Sequence, residues 1–297
     1  MSSAIRPAWM EPPTRLGNTA KGLVLTAIVL AVTFPFLIVI STSLAGQAEI
    51  SGGGGFVLWP SHPTFEAYTS VLSGGIVTRA VLVSAGVTLV GTAISLTVTV
   101  LTAYGLSRSG TVFHRPLLLI VLLTFLFTPG IIPSYLVVKQ LGLLDNYASL
   151  ILPTAISAFN VVIVRGFFQG IPQELLDSAR IDGAGEWRIL RTMVLPLSKA
   201  VVAVVGLFYA VAYWNSFFSA TLYLSDSTKW PLQLVLRTYV LQGAPLAGMD
   251  QGAGDVPPPQ QAVQMAVVVL AVIPILCVYP FIQRHFSKGV LTGAVKG

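Results

Sequence analysis

The chain has 297 residues, 54% of them hydrophobic and only 9% charged, with a mean hydropathy of +0.80. Soluble domains carry about a quarter charged residues, so this composition excludes an ordinary soluble enzyme and describes a multi-pass membrane protein. Its net charge of +6 therefore says nothing about nucleic acid and matters through its placement.

Met1 to Lys21 is polar and mildly basic and reads as a cytoplasmic segment. Gly22 to Ala45 is charge-free, longer than the ~20 residues that cross a bilayer and too long for a signal-peptide core. It reads as an uncleaved first span. Gln47 to Gly75 is a loop with a flexible glycine run at 51–55. No Gly-Lys-Ser/Thr closes that run, so it is not a phosphate loop. Arg79 marks a membrane edge, and Ala80 to Ser107 is the second span; Arg108, His114 and Arg115 form a short basic loop. Pro116 to Val138 is the third span, interrupted by Pro129, Gly130 and Pro133. Prolines there free carbonyls that neighbours must satisfy; a kink at a pathway and a frayed span end both fit. Lys139 to Asn146 is a short loop, and Tyr147 to Val164 is the fourth span, with Asn160 inside it.

Ile171 to Pro196 is the longest strongly charged stretch between apolar runs. Pro172 suits the first turn of a helix, and Glu174 then lies near its positive end. Gln173, Asp177 and Arg180 share one face, while Leu175, Leu176 and Ala179 lie towards the other. Asp182-Gly183 breaks this helix, since glycine adopts the left-handed conformation without a Cβ penalty. A second helix restarts at Ala184, with Trp187, Leu190 and Val194 on one face, and Pro196 limits it. Such a helix–glycine–helix suits either an interfacial turn or a docking element for a water-soluble partner.

Ala200 to Ser225 is the fifth span and holds Tyr209, Tyr213, Trp214 and Asn215. Asp226 to Pro259 is a long loop whose WPLQLVLRTYVLQG portion suits an interfacial helix and whose GMDQGAGDVPPPQ portion is turn-rich. Gln260 to Gln283 is the sixth span, and Arg284 to Gly297 is a short basic tail. With the amino end inside, 13 of the 17 Lys and Arg residues fall on the cytoplasmic side. That asymmetry orients the chain with both termini, and the 171–196 loop, in the cytoplasm.

The histidines His62, His114 and His285 have no metal-ligand spacing, and the lone Cys277 has no internal disulfide partner. No G-x-x-x-x-G-K-[ST], H-E-x-x-H or G-x-S-x-G occurs, and the six spans as drawn hold no Asp, Glu, His, Lys or Arg. An energy source within the chain is thus not visible.

The loop resembles the EAA loop of bacterial ABC-importer permeases. Asp177-Ser178-Ala179 stands where the family has Glu-Ala-Ala, Gly183 is the family glycine, and Met193-Val194-Leu195-Pro196 stands at the Ile-x-Leu-Pro ending. The strings ARIDGA, LWPSHPTFEAY, GLLDNYASLILP, YWNSFF and GVLTGAVKG are similar, in the same order, to maltose-type sugar permeases.

The resemblance implies an all-α membrane protein of six transmembrane helices with the type I ABC-importer permease fold, in a bacterial cytoplasmic membrane. It implies no covalent catalysis and no cofactor in this chain, ATP and Mg being held by partner subunits. It implies a second homologous permease, two ATP-binding subunits and an external solute-binding protein that delivers a sugar or oligosaccharide. Glu174, Asp177, Ala179, Arg180, Asp182, Gly183, Ala184, Trp187 and Pro196 are then the ATPase-docking residues, and Lys296 and Gly297 a further tail contact with the ATPase. Asn160, Tyr213, Trp214 and Asn215 are candidates for the substrate pathway, although membrane anchoring and interhelical bonding explain such side chains more simply. A permease of the same fold for a polyamine or peptide, and an ATP-independent channel or carrier, are the alternatives.

Overall fold

The computed structural model describes residues 15–73, 75–108, 110, 112–242 and 259–293, and among these residues it contains helices and no strand. The chain divides into two compact units, Met1–Thr69 with Gly254–Val269 and Ser70–Ala253 with Leu270–Gly297.

In the first unit, α1 (Arg15–Ser43) is exposed over nearly all of its apolar length, as a lipid-facing helix is. It begins seven residues before the expected span and ends two before Ala45, because the TAKG stretch continues the helix without a breaker. A short helix, α2 (Gln47–Gly52), follows. The glycine run expected to be flexible forms a defined turn. Gly54 and Gly55 have φ of 66° and 102°, and a Cβ on Gly55 would stand 2.7 Å from Gln261 Nε2. Side chains hold the next stretch in place: the Val57 amide donates to Thr42 Oγ1 at 3.1 Å, and the Ser61 and His62 amides donate to Glu49 Oε1. The helix α3 (Glu66–Ser73) ends this segment.

The second unit is organised around α4 (Ile76–Ser107). Its buried positions include Ala80, Ser84, Gly91, Ser95, Thr99 and Ala103, a stripe of small residues along one face. Lipid gives helices no hydrophobic reason to associate, so close approach through small side chains and interhelical hydrogen bonds must hold them. α4 packs there against α8 (Ala158–Gln169) and α12 (Lys199–Trp214).

The third, fourth and fifth spans are not continuous. α5 (His114–Leu126) and α6 (Ile131–Gln140) meet at 120°. Pro129 lacks an amide hydrogen and pushes the residue before it out of the α region; Gly130 is extended. α7 (Ala148–Ile151), extended by a 3-10 turn to Thr154, meets α8 at 53°, with Ser157 extended between them. α12 ends at Trp214 rather than running to Ser225. The Asn215 carboxamide donates to the Val211 carbonyl at 2.8 Å, and α13 (Phe217–Tyr223) restarts after Ser216. A side chain that bonds its own helix backbone offers the chain a way out of the helix.

Among the described residues, three helical segments are long and apolar enough to cross a membrane: Arg15–Ser43, Ile76–Ser107 and Gln260–Cys277. Counting each bent pair as one span brings the number to six, the third pair being Glu186–Leu197 with Lys199–Trp214 at 85°. The last helix, α15 (Gln260–Gly293), continues past Gln283, since the tail sequence holds no glycine or proline break before Gly289.

α14 (Leu232–Gln242) is a helix, as the WPLQLVLRTYVLQG segment suggested. It does not merely lie on a surface: Leu232, Leu234, Val235 and Tyr239 are buried, and the Leu232 amide donates to Ser84 Oγ of α4 at 2.8 Å. Asp145, at φ 54°, clamps the same region by accepting the Ser225 and Asp226 amides, while Lys229 Nζ donates to its carbonyl.

Candidate functional site

The charged loop folds into α9 (Gln173–Ile181), α10 (Glu186–Ile189), one π turn (Leu190–Val194) and α11 (Leu195–Leu197). Gly183 has φ of 78°, its amide donates to the Arg180 carbonyl, and the Ala184 amide donates to the Ala179 carbonyl at 2.9 Å. These two bonds form the paired closure by which a left-handed glycine satisfies the last carbonyls of a helix. Ala179, Gly183 and Ala184 thus have structural work that follows directly from their position.

Leu176 anchors α9 in the core, as do Ile189, Leu190 and Val194 in the second helix. Trp187 does not share that buried face: it is 66% exposed, and Ile181 beside the turn is 87% exposed. Ile189 is the reason: it is fully buried, and at about 100° per residue Trp187, two positions earlier, lies on the opposite side of α10. The second helix also continues through Pro196 and ends one residue later, at Leu197. Ile181 was not among the expected site residues; its apolar side chain next to a polar cap was the available signal.

A charge network links the two helices. Arg180 pairs with Asp177 Oδ1 at 2.8 Å and with Glu186 Oε1 at 3.0 Å. The second Glu186 oxygen accepts the Tyr104 hydroxyl from the end of α4. The Tyr104 bond, aided by Arg180 and opposed by partial burial, holds the Glu186 carboxyl below the usual glutamate range. The bond to Glu186 likewise raises Arg180. Asp177 therefore uses its shortened side chain within its own helix. Glu174 and Asp182 are exposed and join no ion pair among the described residues. Tyr104 was missed because nothing in its neighbourhood in the sequence points to a residue 82 positions away.

Deeper in the same unit, a cavity of about 360 Å³ is lined by Thr154, Ser157, Asn160, Tyr209, Tyr213 and Asn215, with apolar walls that include Phe208 and Phe218. Its polar lining is neutral, made of hydroxyls and amides. Tyr213 reaches it but is committed elsewhere: its hydroxyl shares a 2.7 Å hydrogen bond with Ser95, and its ring lies where a Gly91 Cβ would be. Tyr209 shares a 2.7 Å bond with Thr99 and accepts the Ser157 amide. Ser216 Oγ is shut from solvent with no hydrogen-bond partner among the described residues. Trp214 does not line the cavity; it is buried, and its indole N–H donates to the Ala271 carbonyl at 3.1 Å. The tail contact expected at Lys296 and Gly297 lies outside the described residues, as does 243–258 of the outer loop.

Residues 95–292 match the family model described as "Binding-protein-dependent transport system inner membrane component". The chain is 49% identical over 265 residues to the polygalacturonan/rhamnogalacturonan transport system permease protein YtcP of Bacillus subtilis (strain 168), covering 89% of this chain and 92% of that one. It is 46% identical over 263 residues to Protein LplC of the same organism, covering 89% of each. A chain from the crystal structure of a bacterial ABC transporter involved in the import of the acidic polysaccharide alginate superposes with a TM-score of 0.87 at 28% identity, covering 94% of this chain and all of that one. Together with the helical architecture and the glycine-closed loop, these matches place the chain in the family of binding-protein-dependent transport system inner membrane components, the permeases of ABC importers.

Proposed function

We propose that this permease forms part of the pathway for an oligosaccharide, and that the 171–196 loop receives a separate ATPase subunit in the cytoplasm. The observation that carries the substrate reading is the neutral cavity ringed by Thr154, Ser157, Asn160 and Asn215. Hydroxyl and amide side chains both donate and accept, which suits the hydroxyls of a sugar ring. A polyamine would call for carboxylates, and none lines the cavity. The related permeases named for polysaccharides support the same class. A second homologous permease completes the pathway, a solute-binding protein delivers the sugar from outside, and both chain termini lie in the cytoplasm.

The docking reading is supported by Ile181 and Trp187, two large apolar side chains exposed on either side of Gly183. Exposed aromatic side chains serve as interface anchors. ATP hydrolysis belongs to the partner, whose closure moves the loop and thereby α8 and α12. The reconstituted complex should take up oligosaccharides from a panel that includes neutral ones as well as oligogalacturonides, in an ATP-dependent way, and ignore spermidine and tripeptides. Uptake by the permease without any ATPase, or preference for the polyamine or peptide, refutes the reading.

A further inference from the structure

We propose that the cleft between the end of α4, the start of α5 and the docking loop binds a phosphate group, carried by an anionic lipid headgroup. This goes beyond the transport reading and does not depend on which solute is carried. The cleft is about 810 Å³, and its lining includes Tyr104, Arg108, His114, Gln173, Arg180 and Glu186.

Not every polar nitrogen in this cleft has a partner among the described residues. Arg180 is matched by Glu186 and Asp177. Arg108 makes no ion pair among the described residues, although its charge is felt by Glu186 and Tyr104. Its guanidinium carbon sits 4.8 Å from the Tyr104 ring centre, and its Nε and Nη2 are shut from solvent with no hydrogen-bond partner among the described residues. His114 Nδ1 is in the same condition. A buried polar group left unpaired carries a desolvation cost, larger when it is charged. An acceptor with several oxygens removes that cost. The planar guanidinium fork matches phosphate oxygens in a bidentate manner, which an ammonium cannot do.

The chain between two lining residues, Gly110 and His114, argues for lipid as the source. It presents Val112 and Phe113, which are 75% and 73% exposed, with Phe113 held at φ 58°. Apolar side chains next to cationic ones fit the level where headgroups meet acyl chains. Glu186 is the carboxylate in the cleft; its two oxygens are taken by Arg180 and Tyr104.

The test uses the full chain, purified in detergent and stripped of lipid, then exposed separately to phosphatidylglycerol, diacylglycerol and inorganic phosphate. Native mass spectrometry and thermal melting are the readouts. Phosphatidylglycerol should be retained at one tight site and raise the melting temperature, and diacylglycerol should do neither. Arg108→Gln should weaken retention roughly tenfold, and Arg108→Lys, which keeps the charge and loses the fork, should restore only part of it. His114→Gln gives an independent reading should Arg108→Gln fail to fold. Protection by inorganic phosphate that phosphatidylglycerol does not match keeps the phosphate site and overturns the lipid source. Equal retention of diacylglycerol, or phosphatidylglycerol binding undiminished in both Arg108→Gln and His114→Gln, overturns the proposal.

Discussion

The hydroxyl of Tyr104, at the end of α4, donates to the carboxylate of Glu186, at the start of α10, across 82 residues of sequence. Through Arg180 the same carboxylate holds the last turn of α9. The loop proposed to meet the ATPase is therefore hydrogen-bonded to the central helix through this side chain.

Tyr104→Phe removes the bond and keeps the ring against Phe168. A hydrogen bond to a charged group contributes about 1.5–3 kcal/mol; Glu186 is half exposed, so roughly 1 kcal/mol is expected here. The melting temperature should fall by a few degrees. On the proposed coupling, transport per ATP hydrolysed should fall more than ATPase binding does. A variant with wild-type melting and wild-type stoichiometry shows that the bond is idle.

Acid should undo this link in a defined window. The folded Glu186 carboxyl lies below the ordinary value of 4.5. A lowered folded pKa gives stability that is complete above the unfolded value and lost as pH falls through the folded one. The melting difference between wild type and Glu186→Gln should be constant above about pH 5 and shrink below it. A difference that instead grows as pH falls contradicts the assignment.

Gly183 offers a test that separates backbone strain from crowding. A Cβ there meets nothing within 4 Å, so the cost of Gly183→Ala is that of the left-handed backbone alone, roughly 1–2 kcal/mol. Asn visits that region more readily, so Gly183→Asn should melt between Ala and wild type. The reverse order of melting temperatures contradicts the backbone account.

Gly91 behaves differently, because a Cβ there would lie 2.8–2.9 Å from three ring atoms of Tyr213. Gly91→Ala must displace a buried ring and should cost about 1–3 kcal/mol, as overpacking does. Tyr213→Phe leaves the packing and removes the bonds to Ser95 and the Ile151 carbonyl. Interhelical bonds in membranes average about 0.6 kcal/mol, so it should cost clearly less. Comparable melting losses for the two variants show that the hydroxyl, not the close approach, holds α4 to α12.

Removing the exposed apolar pair tests the docking surface. Ile181→Ala and Trp187→Ala should leave melting within a degree or two, since neither side chain packs in the core. Co-purification of the ATPase should drop several-fold with each. Undiminished co-purification by both variants removes these side chains from the interface.

Charge-free runs made α1, α4 and most of α15 legible, because lipid tolerates few charges and any 20-residue apolar run has one stable form. The Gly183 turn was legible because only glycine takes that conformation without penalty. The breaks were less so. Pro129 and Gly130 announced one, but Ser157 and Asn215 break helices through side-chain bonds that many serines and asparagines in spans do not make. Trp214 was a candidate sugar contact by its chemistry, with membrane anchoring or interhelical bonding the simpler reading, and its bond to the Ala271 carbonyl was not legible in the sequence. Tyr104 and Ser84 act across long stretches of chain, where no local pattern reports them.

The π turn at Leu190–Val194 also has a mechanical meaning. It holds one residue more than an α turn, so the segment between the exposed Trp187 and the bend at Ser198 contains stored length. Converting that turn to α geometry would advance everything beyond it by about 1.5 Å and rotate it by about 100°. The register between the exposed Trp187 and the start of α12 is therefore set by this one turn.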